Sequence, residues 1–581
     1  MPAYYSSKIA NFLLDPDTLV IGSLAEANTK ANFLQLESAA IEAWRNELTL
    51  LRTALSEVIE AEPDAISWGM LLEFPIPRRQ RRTDLILLAR DVVFVIEFKL
   101  THSDLSAIRQ VEDYALDLVD FHEPSRNLVL VPVLVAPSIR LMRSAIQDSP
   151  QPVRSVEVCI PADFGKLILN AFRANTDPLR NCIDMLQWDR GIYRPVPTII
   201  EAAQFIFANM EVREIAHSAS GSHNLTDTVD ALFNVMSTAR QTKKKTICFV
   251  TGVPGSGKTL AGLRAVHDPR NGNELGTDPT FLSGNGPLVR ILREALTRDF
   301  ARREKLSRQK VRRKVETLIQ NIHSFAKYHW EEDPSAIPNE RVIVFDEAQR
   351  AWNAERNQRK FNRPISEPAM ILRIMDRHKD WAVIVALVGG GQEIHDGEAG
   401  LAEWGRALAN EFPHWLVVAS SEALRGGSSV SGAALFESGN ATSAAIQENN
   451  NLHLRVSTRS YKSTAITEWS NAFLKGKLRE ANNVLLGVAD FPIVITRSLS
   501  LARKWLHAQT RGTARCGLVA SSGAARLRAE GLETSTAFHR EYPYQYWFLN
   551  SPEDVRSSNQ LEVLATEFEI QGLELDWVGL C

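Results

Sequence analysis

The stretch from Thr246 to Leu260, TICFVTGVPGSGKTL, constrains this chain more than any other, because a short apolar run breaks into glycines and then into a helical pattern. Within it, Gly252 to Thr259 fits the phosphate-binding pattern G-x-x-x-x-G-K-[ST] residue for residue. Backbone N–H groups can turn inward around phosphate oxygens only where no Cβ obstructs them. Gly252, Gly255 and Gly257, with Ser256 between the last two, meet that need. Lys258 then offers a point charge to the outer phosphates and Thr259 a hydroxyl for Mg²⁺, while the following helix directs its positive N-terminus at the same place. The run Ile247, Cys248, Phe249, Val250 is the buried strand such a loop requires. A nucleoside triphosphate, ATP with Mg²⁺, is the expected ligand.

The 581 residues allow about three to five domains, and with 44% hydrophobic residues they can bury large cores unaided. Five cysteines are scattered without a C-x-x-C pair, so neither a zinc site nor a disulfide framework is indicated, and a reducing cytoplasm is expected. No basic segment followed by an apolar one opens the chain, and no run of about eighteen apolar residues occurs, so no membrane partner is expected. A net charge of −3 neither demands nor excludes nucleic acid.

Toward the N-terminus, apolar residues from Phe33 to Val58 recur at spacings of three and four, which predicts a long amphipathic helix. Strands are predicted at Ile66 to Phe74, Thr83 to Leu88 and Val92 to Lys99, then a helix from Asp104 to Phe121 and a buried strand from Leu128 to Ala136. In this α-β-β-β-α-β order, Glu97 and Lys99 project from one face of their strand and Asp84 can approach from its neighbour. Asp84, Glu97 and the carbonyl of Phe98 make an oxygen-rich set suited to Mg²⁺, with Lys99 placed to orient a water. That is the chemistry of phosphodiester hydrolysis.

The arrangement resembles the PD-(D/E)xK nuclease superfamily, although Asp84 follows Thr83 rather than a proline. It also resembles the RecB-like branch, through Gln110 and Tyr114 in QVEDYALDL. The resemblance implies catalytic roles for Asp84, Glu97, Lys99, Gln110 and Tyr114, with Asp84 and Glu97 as ligands of Mg²⁺ or Mn²⁺. Glu42 or Glu47 from the first helix is expected to complete the set. Arg78, Arg79, Arg81 and Arg82 lie just before Asp84, where they serve either as phosphate contacts or as a solvated loop.

Downstream of the phosphate loop, eleven Lys or Arg residues stand against three acids between Arg290 and Lys314, either a nucleic-acid grip or a solvated helix. The apolar run from Val342 to Phe345 delivers Asp346 to the Mg²⁺ shell and Glu347 to the attacking water. A further apolar run from Ala382 to Val388 ends in GGGQ, whose Gln392 resembles the γ-phosphate sensor of motif III in superfamily 1 helicases, with Gly-Gly in place of the usual Gly-Asp. Arg459 in STRSY resembles the motif IV arginine that faces the nucleotide. The segment TEFEIQGLELD, with Gly572, is similar to motif V, which couples nucleotide state to strand binding. Together GVPGSGKT, FDEAQRAW and TEFEIQGLELDWVG are most similar to the Schlafen-type helicases of bacteria, over roughly residues 240 to 581.

The expected fold class is α/β: an N-terminal αβββαβ restriction-endonuclease-like domain over 1–195, a helical connector over 196–240, and two RecA-like P-loop domains over 241–440 and 441–581. Motif VI should follow motif V, and the chain stops at Cys581 before it, so a truncated form of a longer protein is expected, the alternative being a naturally broken motor that binds ATP and hydrolyses it poorly. The resemblance implies an ATP-dependent nuclease-helicase acting on DNA, in anti-phage defence or repair, with a second copy or a defence protein as partner. The alternatives are an ATP-switched nucleic-acid clamp on a non-catalytic nuclease fold, and an RNA-directed enzyme.

Overall fold

The computed structural model describes residues 2–32, 38–76, 81–99, 105–137, 152–193, 198–207, 219–253, 255–268, 270–275, 277, 279–389, 400–430, 432–436, 444–455, 461–486 and 493–581. It is mixed α/β and divides into two compact units, Met1–Pro195 with Arg503–Cys516, and Val196–Ala502 with Gly517–Cys581.

The first unit runs β1 (Tyr5–Lys8), α1 (Ile9–Leu14), α2 (Asp17–Asn32), α3 (Ser38–Ala61), β2 (Gly69–Ile76), β3 (Arg81–Ala89), β4 (Val92–Phe98), α4 (Leu105–Phe121), β5 (Val129–Val135), β6 (Glu157–Cys159), α5 (Phe164–Asn175) and α6 (Met185–Asp189). Its sheet has the order β1-β2-β3-β4-β5-β6. The first four strands pair antiparallel and the last three parallel. The sequences VVFVIEF and VLVPVLV are apolar on both faces, as strands covered on both sides by helices must be.

Pro132 sits inside β5, where a missing N–H would ordinarily break the ladder. On the β6 side the Leu130 N–H donates to the Pro152 carbonyl and the Leu130 carbonyl accepts the Arg154 N–H. By the two-residue alternation of a strand the Pro132 nitrogen points the same way. It meets the gap between the Leu130–Val153 bridge and the Val133–Glu157 pair. Of the helix read from Phe33 to Val58, residues 33–37 lie outside the described residues and the rest falls in α3, while α2, β1 and α1 carry no periodic signal that announced them. Trp44, Leu48, Leu51, Leu55 and Val58 of α3 pack with Leu85, Leu87, Phe94 and Ile96 of the sheet.

The second unit contains α7 (Ile199–Phe207), α8 (Ala219–Thr242), β7 (Lys245–Gly252), α9 (Lys258–Val266), β8 (Thr280–Ser283), α10 (Gly286–Arg303), α11 (Arg308–Leu318), β9 (Ile319–Asn321), β10 (Val342–Asp346), β11 (Ala382–Val388), β12 (Leu416–Ala419), β13 (Ile446–Glu448) and β14 (His453–Leu454). The strand order is β13-β12-β7-β11-β10-β8-β9, parallel throughout, and β14 pairs with the end of β7. Because β7, β11 and β10 are neighbours, their C-terminal ends share one edge, where ligands of open parallel sheets bind. A smaller sheet holds β15 (Cys516–Ala520), β16 (Leu564–Thr566) and β17 (Trp577–Leu580) in the order β16-β15-β17. The basic stretch from Arg290 to Lys314 spans α10 and α11 with a turn between them, and its acid Glu294 is buried between Arg298 at 2.8 Å and Arg312 at 2.9 Å. Among the described residues no helix is long and apolar enough to cross a membrane.

Candidate functional site

At the shared edge of β7, β11 and β10, Gly255 and Gly257 take φ of +74° and +87°, the left-handed backbone that lets a loop curl back on itself. A Cβ on Gly252 would stand 2.5 Å from Ser256 Oγ and 2.8 Å from Leu454 Cβ, so no side chain fits there. Ser256 is buried and its Oγ has no hydrogen-bond partner among the described residues, a polar atom aimed into the loop with nothing there to meet it. Lys258 Nζ donates to the carbonyls of Gly252 at 2.9 Å and Val253 at 3.3 Å. Thr259 Oγ1 donates to Asp346 Oδ1 at 3.2 Å, which brings the loop's hydroxyl and the acid at the end of β10 together. Burial, then repulsion from Glu347, pushes the Asp346 carboxyl up to about 7. A bound cation would reverse that shift by favouring the charged form.

Glu347 lies just past β10 with a left-handed φ of +55°. Gln349 donates from Nε2 to Glu347 Oε2 and accepts the Gly389 N–H at 3.0 Å, so it links the acid to the end of β11. A Cβ on Gly389 would approach Lys258 Cε to 3.1 Å, a physical reason for glycine where the lysine stem passes. Gln349 was not singled out from the sequence, although it lies in the same FDEAQ run. Gln392 and Arg459 lie outside the described residues. Gly572 takes φ +74°, and the preceding Gln571 carbonyl accepts from Asn285 Nδ2 at 2.5 Å, where Asn285 caps α10.

In the first unit, adjacent strands bring Asp84 and Glu97 to one region. Asp84 Oδ2 accepts the Phe98 N–H at 2.7 Å, Lys99 Nζ bonds Glu97 Oε1 at 2.7 Å, and Gln110 Nε2 donates to that same oxygen at 2.6 Å and to Tyr114 Oη at 2.8 Å. Glu97 is only 4% exposed and its other oxygen, Oε2, is buried without a partner among the described residues. Glu47 of α3 lines a small cavity with Glu73 and Asp84, whereas Glu42 is exposed. Glu73 is the acid that the sequence reading missed. The pairs Leu72–Leu85 and Phe74–Thr83 set it opposite Asp84, and it holds φ +51° inside a strand. A lone acid in GMLLEFPI was the available signal.

Burial and neighbouring charge raise three of these acids, Asp84, Glu97 and Glu47. Loss of water, then the charges of Glu97 and Glu47, hold the Asp84 carboxyl well above the usual carboxylate range. Loss of water also raises Glu97, with Lys99 opposing it. Glu47 is pushed up to about 8 by desolvation, then by Glu73 and Glu97. Tyr114 is pushed up to about 12 by burial and by Glu97. Among the described residues, no group of three or more His, Cys, Asp or Glu side chains is placed to hold a metal ion.

Of the four arginines before Asp84, Arg78 and Arg79 lie outside the described residues. Arg82 does not reach outward: it bonds Glu73 at 2.6 Å, Tyr4 Oη at 2.8 Å and Asn28 Oδ1 at 3.0 Å, and lies over the Tyr4 ring. Arg81 is exposed.

Residues 245–581 match the family described as Schlafen group 3, DNA/RNA helicase domain. No curated protein matches the chain.

Proposed function

Since the chain belongs to the Schlafen group 3 DNA/RNA helicase family, we propose that it is an ATP-driven translocase or helicase on DNA joined to a metal-dependent nuclease of PD-(D/E)xK type, serving anti-phage defence or repair. In the motor, Gly252, Gly255, Ser256, Gly257 and Lys258 cradle the phosphates. Thr259 and Asp346 hold Mg²⁺ and Glu347 takes the proton of the attacking water. Gln392 and Arg459 sense the γ-phosphate, and the Gly572 turn relays the nucleotide state to the strand. The unpartnered Ser256 hydroxyl and the raised Asp346 carboxyl support an anion and a cation at this edge.

The nuclease reading is carried by the unpartnered, buried Glu97 Oε2 within a group of acids that Lys99 and Arg82 offset in part. A carboxylate oxygen is left unpaired at a cost of about 1–3 kcal/mol unless something binds it. A divalent ion there would supply Lewis acidity and a bound water of lowered pKa. Asp84, Glu97 and Glu47, which are not drawn together as a ligand group in this structure, would have to close on it to hold it. Gln110 and Lys99 orient Glu97, and Lys99 remains close enough to steady charge on the phosphate. RNA in place of DNA is the alternative substrate.

The test is ATP turnover and Mn²⁺- or Mg²⁺-dependent cutting on single-stranded DNA, duplex DNA and RNA, comparing wild type with Glu97→Ala and Lys258→Ala. Glu97→Ala should abolish cutting and keep ATP turnover, and Lys258→Ala should abolish turnover. Undiminished cutting by Glu97→Ala defeats the nuclease assignment, and undiminished turnover by Lys258→Ala defeats the fuel site.

A further inference from the structure

Residues Arg503–Cys516 pack with Met1–Pro195, although the chain before and after them belongs to the other unit. They run from the helix Leu499–Gln509 through a turn into β15. At the turn, Arg511 Nε bonds Glu112 Oε1 at 2.8 Å, Nη1 the Val153 carbonyl at 2.7 Å and Nη2 the Arg154 carbonyl at 2.8 Å. The Gly512 N–H donates to Glu112 Oε2 at 3.0 Å, and Thr513 donates to Asp113 Oδ1 from N at 2.8 Å and from Oγ1 at 3.2 Å. Glu112 and Asp113 are 6% and 5% exposed, so this is a closed joint of charge-assisted bonds rather than a surface ion pair. Gly512 takes φ +58°, and a Cβ on it would stand 2.1 Å from Asp113 Oδ1.

Glu112 and Asp113 belong to α4, the helix whose Gln110 and Tyr114 form the bonded chain to Glu97. At 3.6 residues per turn, Gln110 and Tyr114 share one face while Glu112 looks nearly the opposite way. The helix is therefore held at Glu112, on the face away from Gln110, by Arg511 and Gly512 and at the neighbouring Asp113 by Thr513, and itself holds Glu97 through Gln110. A displacement of about 1 Å at such a contact is enough to cost two orders of magnitude in rate. The far end of the strap is β15, which pairs with β16 up to Thr566, the start of the segment whose Gln571 carbonyl meets Asn285 of α10.

Resting on the nuclease reading above, we propose that Arg511, Gly512 and Thr513 are positioning residues for the Glu97 site. They fix the rotation of α4 that keeps Gln110 on Glu97, and their covalent continuation into the helicase-family unit makes cutting responsive to bound nucleotide. Arg511 touches neither substrate nor metal in this scheme. It acts through α4 alone.

The experiment uses the full chain. Metal-dependent cutting is measured with and without a non-hydrolysable ATP analogue, with ATP turnover and hydrogen exchange of the α4 amides followed in parallel. A coupling of ordinary size changes cutting by about 5- to 150-fold in wild type. Arg511→Ala should bring that ratio close to one and speed exchange in α4 while leaving ATP turnover unchanged, and Arg511→Lys should restore part of the ratio. A wild-type ratio of one, or an undiminished ratio in Arg511→Ala, overturns the inference. If Arg511→Ala does not fold, Thr513→Val, which removes a single hydroxyl, takes its place: a ratio near one with faster α4 exchange supports the joint, and an undiminished ratio overturns it. Failure of the nuclease reading looks different: Glu97→Ala would then cut like wild type, and unchanged α4 exchange in Arg511→Ala would separately refute the joint.

Discussion

Replacing Glu47 with glutamine should stabilise the metal-free first unit at alkaline pH while lowering its cutting. In the unfolded chain Glu47 gives up its proton near 4.5, and in the folded unit near 8. Between those values the folded state keeps a proton that the unfolded state has lost, so stability falls as pH rises through the window and the full penalty is present above about 8. At about 1.4 kcal/mol per pH unit the gap bounds the penalty near 5 kcal/mol. Glu47 is half-buried, and screening by water with relaxation of the cavity brings the expected effect to about 1–2 kcal/mol. Urea titrations in chelator at pH 5 and 8.5, read from exchange of the buried amides of β3 and β4, report this unit separately. Glu47→Gln should match wild type at pH 5 and exceed it by about 1–2 kcal/mol at pH 8.5, and Mn²⁺ should erase the difference by stabilising wild type. An equal difference at both pH values, or a less stable variant at 8.5, refutes the mutual repulsion of these acids.

Glu347→Gln should slow ATP turnover by about 10²–10⁴-fold, as loss of a general base does, while a fluorescent nucleotide still binds; parallel loss of binding would show that Glu347 holds the nucleotide instead. Gly262→Ala in α9 would place a Cβ 2.6 Å from Leu387 Cδ1 and 2.9 Å from Val344 Cγ1. Overpacking of about 1–3 kcal/mol less about 1 kcal/mol of helix propensity leaves a net loss of about 0–2 kcal/mol in thermal unfolding. A variant more stable than wild type would mean that α9 is not pinned to the sheet at this residue.

The parts of the site written in local sequence were readable because local chemistry requires them. A phosphate loop must place glycines and a lysine within a few residues, and Asp346 must end an apolar strand. Glu97 and Lys99 were readable for the same reason, since two-residue alternation puts both on one face. The choice between Glu42 and Glu47 was not, because both lie on α3 and only the packing of Trp44, Leu48 and Leu51 decides which of them turns toward the sheet. Glu73 was hidden by its own strand: its role depends on register against Asp84, a property of two strands rather than one. Arg82 was open to two readings, a phosphate contact or a solvated loop, and is instead bonded to Glu73, Tyr4 and Asn28, partners far apart in the chain. No pattern announced Arg511, since its partners lie about 360 to 400 positions earlier in the chain.

That separation sets an order of events during synthesis. The bonds from Gly512 and Thr513 to α4 close a loop of 400 residues, and they cannot form until the ribosome has passed Thr513. Closing so long a loop costs roughly 5 kcal/mol of chain entropy unless the intervening segment has already folded and shortened the path. The first unit, whose strands are made first, thus acquires its last contacts only after most of the ATPase has been built.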